Sequence, residues 1–340
     1  MIFNFKKIIS VGLPLSGLMF IATESQADCN ITTSGDVSIG SISSIALNET
    51  GIQSNQFSAG LSCQAFATFA TLNYIKYRVD LMPVNYKNSV TGESLTVNYL
   101  DAANNSISLG NEVNLGGFSL INLFSGPSGS LQFKAKVNSG QTVSPGTYRA
   151  QTPFKVKWYY SVPGLGIGPI AVYFQSPGVK LNLLGLLTDW GTGSDASFNL
   201  VIKVLPDCRI STNNINFGTA AFATEFEPVQ TSMGIRCSAK TAYNVSLDDG
   251  LYLQNGFQRA MKSNSGNNYL RYEIYKNSTT ERWGNWGSER WSSADATTNP
   301  GNYNGTVQQG YSFTAKVLDF NPDNLPAGNY KDTLTVKVEF

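Results

Sequence analysis

The residue types in this sequence exclude most catalytic chemistry. The chain has 340 residues and contains no histidine, so it lacks the commonest general base and metal ligand of proteins. No carboxylate pair and no nucleophile beside a base stands out. We therefore expect no enzyme activity, no catalytic residue, no metal site and no cofactor.

Three short patterns could still bind a small ligand, and each has a plainer explanation. The stretch Gly164–Gly168 resembles a phosphate loop, but neither a helix nor a lysine follows it. The stretch Asp319–Asp323 begins like a calcium loop, but Tyr330 stands where a glutamate is needed. Three tryptophans could stack on sugar rings, although such residues more often cap the edge of a sandwich: Trp283, Trp286 and Trp291.

Residues 1–27 have the features of an export signal. A lysine pair precedes the apolar run Ile8–Ile21, and Ser25–Ala27 forms a cleavage site of small residues. The apolar run is too short to span a bilayer as a helix; an uncleaved anchor is the alternative. We expect a mature chain that begins at Asp28 and is secreted.

The four cysteines predict two disulfides. An even number of cysteines in an exported chain is typical of a disulfide framework. Of the three possible pairings, the local one is the simplest, joining Cys29 to Cys63 and Cys208 to Cys237. Closing loops of this size should contribute about 3–4 kcal/mol each. A zinc site is the alternative, but the sequence has no Cys-x-x-Cys pair.

The mature chain contains one sequence pattern twice. Asp28–Thr33 resembles Asp207–Thr212, and Pro145–Tyr148 resembles Ala327–Tyr330. The order of these segments is the same in both halves, which indicates two domains of one fold. The predicted organisation is a signal peptide at 1–27, an N-terminal domain at 28–206 and a C-terminal domain at 207–340.

Alternation of apolar and polar residues predicts β-strands throughout both domains. The final residues, Leu334–Phe340, alternate in this way, as expected for a strand with one buried face. Clusters of Gly, Asn and Pro separate such segments. The predicted fold is all-β, with two immunoglobulin-like β-sandwich domains. The near-neutral charge, from 24 basic and 23 acidic residues, argues against a nucleic-acid partner.

The C-terminal domain is expected to lack its final strand. After Tyr148 the first copy continues through a further strand, Phe198–Val204, whereas the second ends soon after Tyr330. A sandwich without its last strand exposes an apolar slot and an unpaired edge, which a strand from another chain can fill. The alternative is that the second copy closes with fewer strands. The side chains predicted to line the acceptor are Leu334, Val336, Val338 and Phe340.

The second copy resembles the spore-coat-U-type pilin domain of archaic chaperone–usher pili. The matching segments are Cys208, Ile215–Gly218, Cys237, Tyr269–Tyr275, Trp283-Gly284 and Pro326–Val336. Two such copies in one chain resemble the tip adhesins of Csu-type pili (fimbriae). The resemblance implies that a periplasmic chaperone holds the C-terminal domain, that an outer-membrane usher assembles it, and that the next pilus subunit donates the missing strand. It also implies that the first domain mediates cell adhesion and biofilm formation at the cell surface.

A position at the pilus tip is expected from the start of the mature chain as well. Cleavage after Ala27 makes Cys29 the second residue, and Cys29 already belongs to the sandwich. No segment then remains to donate a strand to another subunit. A subunit that accepts a strand and donates none ends the fibre.

Uncharged segments of the first domain are the candidates for an adhesive surface. Residues 115–132 and 158–179 contain no charged residue, and the glycines and prolines of Pro163–Pro169 disfavour a central strand. A third candidate is Leu183–Leu187, and a fourth, weaker one is Phe66–Leu72. The predicted surface-binding residues are Val162, Leu165, Ile167, Ile170, Phe118, Leu120, Ile121, Leu123, Phe124, Leu184, Leu186 and Leu187. The alternative is that these apolar runs are core strands.

Three functions are compatible with these features. The first is attachment to abiotic or host hydrophobic surfaces through exposed loops, which the resemblance implies are finger-like. The second is a lectin-like or protein-receptor-binding tip subunit. The third is a purely structural initiator of the fibre.

Overall fold

A computed structural model describes residues 28–64, 67–123, 131–167, 170–322 and 324–340. The predicted signal peptide lies outside these residues. One α-helix, α1 (Ser44–Glu49), begins where the Ser43 hydroxyl accepts a hydrogen bond from the Ala46 amide. Short 3-10 helices occur at Ala223–Glu225, Gly287–Glu289 and Ser293–Asp295. In the described part of the chain, no helix has the length and apolarity that a membrane crossing requires.

The first half of the mature chain consists mainly of strands. The strand predicted at Phe198–Val204 is confirmed as part of the longer strand Ser194–Leu205. The strands are β1 (Asp28–Ile31), β2 (Asp36–Ser43), β3 (Ile52–Ser58), β4 (Leu61–Gln64), β5 (Ala67–Leu81), β6 (Asn85–Asn88), β7 (Ser94–Thr96), β8 (Asn98–Leu100), β9 (Glu112–Asn114), β10 (Gly117–Leu123), β11 (Gln132–Val137), β12 (Gly146–Ala150), β13 (Phe154–Ile167), β14 (Val172–Gln175), β15 (Val179–Leu181), β16 (Leu187–Trp190) and β17 (Ser194–Leu205).

A large sheet and a small sheet face each other in this half. The large sheet has ten strands; seven follow the order β10-β5-β13-β17-β12-β6-β7, while β14, β2 and β9 pair with β13, β17 and β5. The small sheet has the order β3-β11-β8. Aromatic rings fill the space between them: Phe57 and Phe133 of the small sheet contact Phe154 of the large sheet, with ring centres 5.8 and 5.9 Å apart. The two sheets therefore form a β-sandwich.

The two longest strands, β5 and β13, determine where the candidate site lies. They have 15 and 14 residues and pair antiparallel from Lys155 beside Leu81 to Ser161 beside Tyr74. Side chains of β13 belong to the hydrophobic core as far as Val162. Beyond that point, β13 continues with β10, β5 and β14 as neighbours in one sheet. This end of the sheet carries the loops discussed below.

Strands are also the main regular elements of the second half. Its strands are β18 (Cys208–Ser211), β19 (Val229–Cys237), β20 (Asn244–Leu247), β21 (Ala260–Ser263), β22 (Tyr269–Lys276), β23 (Trp291–Ser292), β24 (Gln309–Val317), β25 (Tyr330–Lys331) and β26 (Val336–Glu339). They form a six-stranded sheet of order β18-β19-β24-β22-β21-β25 and a three-stranded sheet of order β23-β20-β26. Trp283 is fully buried between them, 5.0 Å from Trp291 and 5.4 Å from Phe313 between ring centres. The prediction of an all-β chain with two immunoglobulin-like sandwiches is confirmed. The exact boundary at residue 206 stays a prediction.

Both disulfides join directly opposed residues of neighbouring strands. Cys29 lies opposite Cys63 in the β1–β4 pair, and Cys208 lies opposite Cys237 in the β18–β19 pair. The local pairing predicted from the sequence is confirmed. All four sulfurs are bonded, so the zinc alternative is excluded for these cysteines. The same crosslink closes the first strand of each half, in agreement with the sequence repeat.

Candidate surface-binding loops and strand-acceptor edge

The turn between β13 and β14 presents aliphatic side chains to solvent. Leu165 and Ile167 lie at the end of β13, Ile170 precedes β14, and Val172 begins it. All four are exposed, Ile170 to 85%. Leu165 and Val172 are register partners, so both strands carry an apolar side chain at the same level. Adjacent Gly168 and Pro169 lie outside the described residues.

Val162 is buried, so the prediction that it faces solvent is wrong. The strand does not stop at the proline: β13 includes Pro163, and a register shift between Pro163 and Leu165 accommodates it. β14 lies beside this part of β13 and pairs Phe174 with Val162. The Val162 side chain is part of the first hydrophobic core. The sequence-based alternative, a core strand, is correct at this residue.

The hairpin formed by β15 and β16 presents a second group of leucines. Leu183 is 98% exposed, Leu184 and Leu186 are exposed as well, and Leu187 is half-buried. Leu183 lies in the candidate stretch Leu183–Leu187 but is missing from the predicted surface-binding residues, although it is the most exposed leucine among the described residues.

The loop of this hairpin closes through its own polar groups. The Asn182 Oδ1 atom accepts hydrogen bonds from the backbone amides of Leu184 and Leu186, each at 2.9 Å. Gly185 adopts a φ of 75°, a left-handed conformation that favours glycine. The asparagine thus satisfies the loop backbone, while the leucine side chains project into solvent.

Strand β10 reaches the same end of the sheet. It pairs with the start of β5, Phe118 opposite Leu72 and Leu123 opposite Ala67, and Ala67 also neighbours Leu165 of β13. The predicted residues Phe118, Leu120, Ile121 and Leu123 therefore lie in a strand and not in a loop. Phe124 lies outside the described residues, as does Phe66 of the weaker candidate.

β26 forms an edge of the second sandwich. It pairs with β20, from Val336 opposite Leu247 to Glu339 opposite Asn244. Within the described residues it has no second strand partner. Its outer row of backbone N–H and C=O groups is therefore available for another strand.

The apolar side chains of this edge lie over the second core. Leu334, Val336 and Val338 are half-buried and pack against it, whereas Phe340 is exposed. Ile215 and Phe217 pack against the same core from residues 212–222, which form no strand. The edge thus combines unpaired backbone with incompletely covered apolar side chains.

The tryptophans of the second half do not form a sugar-stacking platform. Trp283 and Trp291 are buried in the core, so the stacking alternative is wrong for both, and Trp286 alone of the three is exposed. In the calcium-like segment Asp319–Asp323, the buried Asn321 bonds to the backbone of Arg271, and Asp323 lies outside the described residues. In the described residues no group of acidic or cysteine side chains is arranged to hold a metal.

Charged side chains below the surface are compensated within the protein. Arg259 is fully buried and pairs with Glu273, and Arg282 pairs with Glu273, Asp249 and Glu289. This network ties the β20–β21 and β22–β23 connections to strand β22 of the second sandwich.

Glu93 connects the two halves. It lies between β6 and β7 and forms an ion pair with Lys240 of the second half, Nζ to Oε1 3.0 Å. Burial raises its pKa, but the hydroxyl and backbone amide of Ser144, with Lys240 and Thr91, outweigh burial and lower the pKa of Glu93 to about 2. Glu93 is therefore ionised at neutral pH. Arg236 pairs with Glu49 across the same boundary.

Comparisons with known proteins agree with this architecture. The Spore Coat Protein U domain family matches residues 194–337. The chain is also similar to CsuE of Acinetobacter baumannii, whose structure was solved as the CsuC–CsuE chaperone–tip adhesion subunit pre-assembly complex from archaic chaperone–usher Csu pili. The two chains are 49% identical over 92% of this chain and 100% of that chain, and their TM-score is 0.74. This chain belongs to the tip-adhesin family of Csu-type archaic chaperone–usher pili. A pilus adhesin of this family is exported through the periplasm to the cell surface, and its relatives are pilus subunits, not enzymes.

Other likenesses are too distant to support an argument. CfaE, the adhesive subunit of CFA/I fimbria of enterotoxigenic Escherichia coli, is 6% identical over 90% of this chain and 92% of its own, with a TM-score of 0.31. The CupB6 tip adhesin from Pseudomonas aeruginosa is 9% identical over 92% and 94%, with a TM-score of 0.29. No curated protein sequence matches this Csu-type adhesin.

Proposed function

We propose that this adhesin attaches the cell to nonpolar surfaces from the pilus tip and so supports biofilm formation. The observation that carries the proposal is the exposure of aliphatic side chains on two separate turns, Leu165–Val172 and Leu183–Leu186. Loop tips are usually polar, and contiguous exposed apolar surface marks interaction sites. Both turns belong to the first half of the mature chain, whereas β26 belongs to the second.

The physical basis is the removal of apolar surface from water. If the loops bury about 400 Å² against a nonpolar surface, the gross gain is about 10 kcal/mol at about 25 cal/mol per Å². Association costs of roughly 4–15 kcal/mol offset much of this gain. One tip therefore holds weakly, and many pili acting together hold firmly. Residues 158–179 contain no charged side chain, so contact between this segment and a surface does not require a charged group to lose its hydration.

The β26 edge supports a second part of the proposal, namely strand acceptance. We propose that a periplasmic chaperone first supplies a strand beside β26 and that the next pilus subunit replaces it at the outer-membrane usher. Added strands pair through the backbone and fill pockets with alternate side chains. The half-buried Val336 and Val338 lie where such side chains would dock. CsuE, the relative at 49% identity, was crystallised with its chaperone, which supports the same partner class.

Attachment of piliated cells to polystyrene tests the adhesive proposal. Hydrophobic attachment should persist or strengthen in sulfate salts and fail in mild detergent, because these agents strengthen and weaken apolar burial. Soluble sugars should have no effect. Attachment that a soluble sugar blocks and detergent leaves intact would contradict the proposal and favour the lectin-like alternative.

Co-purification with the chaperone tests the acceptor proposal. Val338→Asp places a charge in the row that faces the core and should abolish chaperone binding and pilus incorporation. The matched control is Lys337→Asp, which changes the exposed neighbour on the other face of β26 and should retain both. Equal chaperone recovery for the two variants would contradict a strand acceptor at β26.

A further inference from the structure

The leucine-bearing hairpin has no sheet to support it. β15 and β16 pair with each other, from Val179 opposite Trp190 to Leu181 opposite Leu187, and form a separate two-stranded sheet. Among the described residues, no strand ladder joins this pair to the large sheet. An isolated two-stranded hairpin is at best marginally stable in water. Contacts other than strand pairing must therefore hold it in place.

The last residue of the hairpin, Trp190, supplies such a contact. The Nζ atom of Lys76 on β5 lies 4.8 Å from the centre of the Trp190 ring and 4.6 Å from the centre of the Tyr159 ring on β13. Tyr74 meets Trp190 edge to face, with 6.4 Å between ring centres. Lys76 is further oriented by an ion pair with Glu112, Nζ to Oε2 2.8 Å.

The position of Lys76 is unusual for a lysine on a surface strand. Its side chain is mostly buried, at 13% exposure, and its ammonium lies between a ring of the main sheet and a ring of the hairpin. Cations over aromatic faces are attracted by the ring quadrupole, more strongly where water is displaced. One lysine therefore bridges two elements that no backbone hydrogen bond of a ladder connects.

Backbone hydrogen bonds at the base of the hairpin position its two connections to the sandwich. The Thr192 amide donates to the Pro177 carbonyl at 2.9 Å, and the Val179 amide donates to the Ser176 carbonyl at 3.3 Å. These bonds determine where the chain leaves and rejoins the sandwich. They do not reach the face of the hairpin that Trp190 turns towards β5 and β13.

We propose that Lys76, Tyr159 and Trp190 form a clamp that positions the leucines of the β15–β16 loop for adhesion. This inference rests on the proposed attachment to nonpolar surfaces. A hairpin held against the sheet keeps Leu183 and Leu184 in a defined position. The hairpin therefore loses less conformational entropy when these leucines contact a surface. The three clamp residues are positioning residues and need not touch the surface themselves.

Hydrogen exchange of the full chain, purified with its chaperone, tests the clamp directly. Trp190→Ala should speed exchange across residues 179–190 about tenfold, while exchange in β5 and β13 stays unchanged. Trp190→Phe keeps an aromatic face and should restore most of the protection. The control is Trp286→Ala, which removes an exposed tryptophan of the second half and should leave the hairpin unaffected. Unchanged exchange in Trp190→Ala would overturn the inference.

A second pair of variants tests the role of the charge. Lys76→Met keeps the apolar stem and removes the cation, so it should also speed hairpin exchange, whereas Lys76→Arg should match the wild type. Lys76→Met that exchanges like the wild type would show that the cation contributes nothing and would overturn the clamp as described.

Attachment to polystyrene separates this inference from the proposed function. A loosened hairpin with reduced attachment supports both. A loosened hairpin with full attachment contradicts its role in adhesion, and with it the positioning role of the clamp, while attachment through the β13–β14 turn would stand. Loss of attachment in a chain whose hairpin exchanges normally would overturn the clamp alone.

Discussion

Placing charges on the β13–β14 turn should weaken attachment without disturbing assembly. The double variant Leu165→Asp with Ile167→Asp changes two side chains that face solvent at the end of β13. Neither belongs to the hydrophobic core, so the sandwich should fold as before. The turn would then carry two carboxylates where it now carries only aliphatic groups.

The expected magnitude follows from the exposed fractions, 56% for Leu165 and 64% for Ile167. Fully burying one such side chain contributes about 1.5–3 kcal/mol, so burying the exposed parts of both contributes about 2–4 kcal/mol per tip. At about 1.4 kcal/mol per tenfold change, the affinity of a single tip should fall by about 30- to 700-fold. Removing the new carboxylates from water would weaken contact further.

Force spectroscopy of single pili on a methyl-terminated surface, together with cell attachment to polystyrene, measures this loss. The matched control is Val90→Asp. Val90 is 90% exposed and lies in the connection between β6 and β7, so Val90→Asp introduces one carboxylate at an exposed position outside the β13–β14 turn. Variant pili should be as numerous as wild-type pili by electron microscopy.

The reasoning fails if the double variant attaches like the wild type while assembling normally. Equal losses in the double variant and in Val90→Asp would also contradict it, since the effect would then reflect net charge and not the loops.

Three further results are expected. Replacing Cys208 and Cys237 by Ser should lower the free energy of unfolding of the second sandwich by about 3–4 kcal/mol in denaturant titration, and an unchanged midpoint would contradict this. Glu93→Gln should reduce stability at neutral pH, because a carboxylate with a lowered pKa stabilises the fold only while it is ionised. The difference in stability between variant and wild type should therefore vanish as pH falls from about 4.5 towards about 2. Thermal melting over that pH range measures this difference, and a difference that stays constant would refute the prediction. Val162→Ala should lower the stability of the first sandwich by about 1–3 kcal/mol yet leave attachment per assembled pilus unchanged; a selective loss of attachment would show that Val162 acts at the surface.

The β13 strand shows why sequence patterns located the candidate surface only in part. The uncharged stretch 158–179 correctly indicated that Leu165, Ile167 and Ile170 are exposed. It could not separate these from Val162, because burial there depends on the residues of other strands that form the first hydrophobic core around it. The proline that suggested a break is accommodated by a register shift.

Several properties of this adhesin follow from its sequence by itself. Strand alternation and the repeated cysteine positions determined an all-β, disulfide-bonded chain with two similar halves. The absence of histidine excluded chemistry that needs an imidazole. These features are local, or depend on residues that strand pairing places directly opposite each other, such as Cys29 and Cys63.

Only the tertiary structure decided which apolar residues face water and what supports them. Lys76, Tyr159 and Trp190 are far apart in the sequence, and no spacing rule brings them together. Their contact exists because β5 and β13 pair side by side and the hairpin folds back over them. Exposure and support are properties of what lies next to a residue in space, and a single sequence carries that information only indirectly.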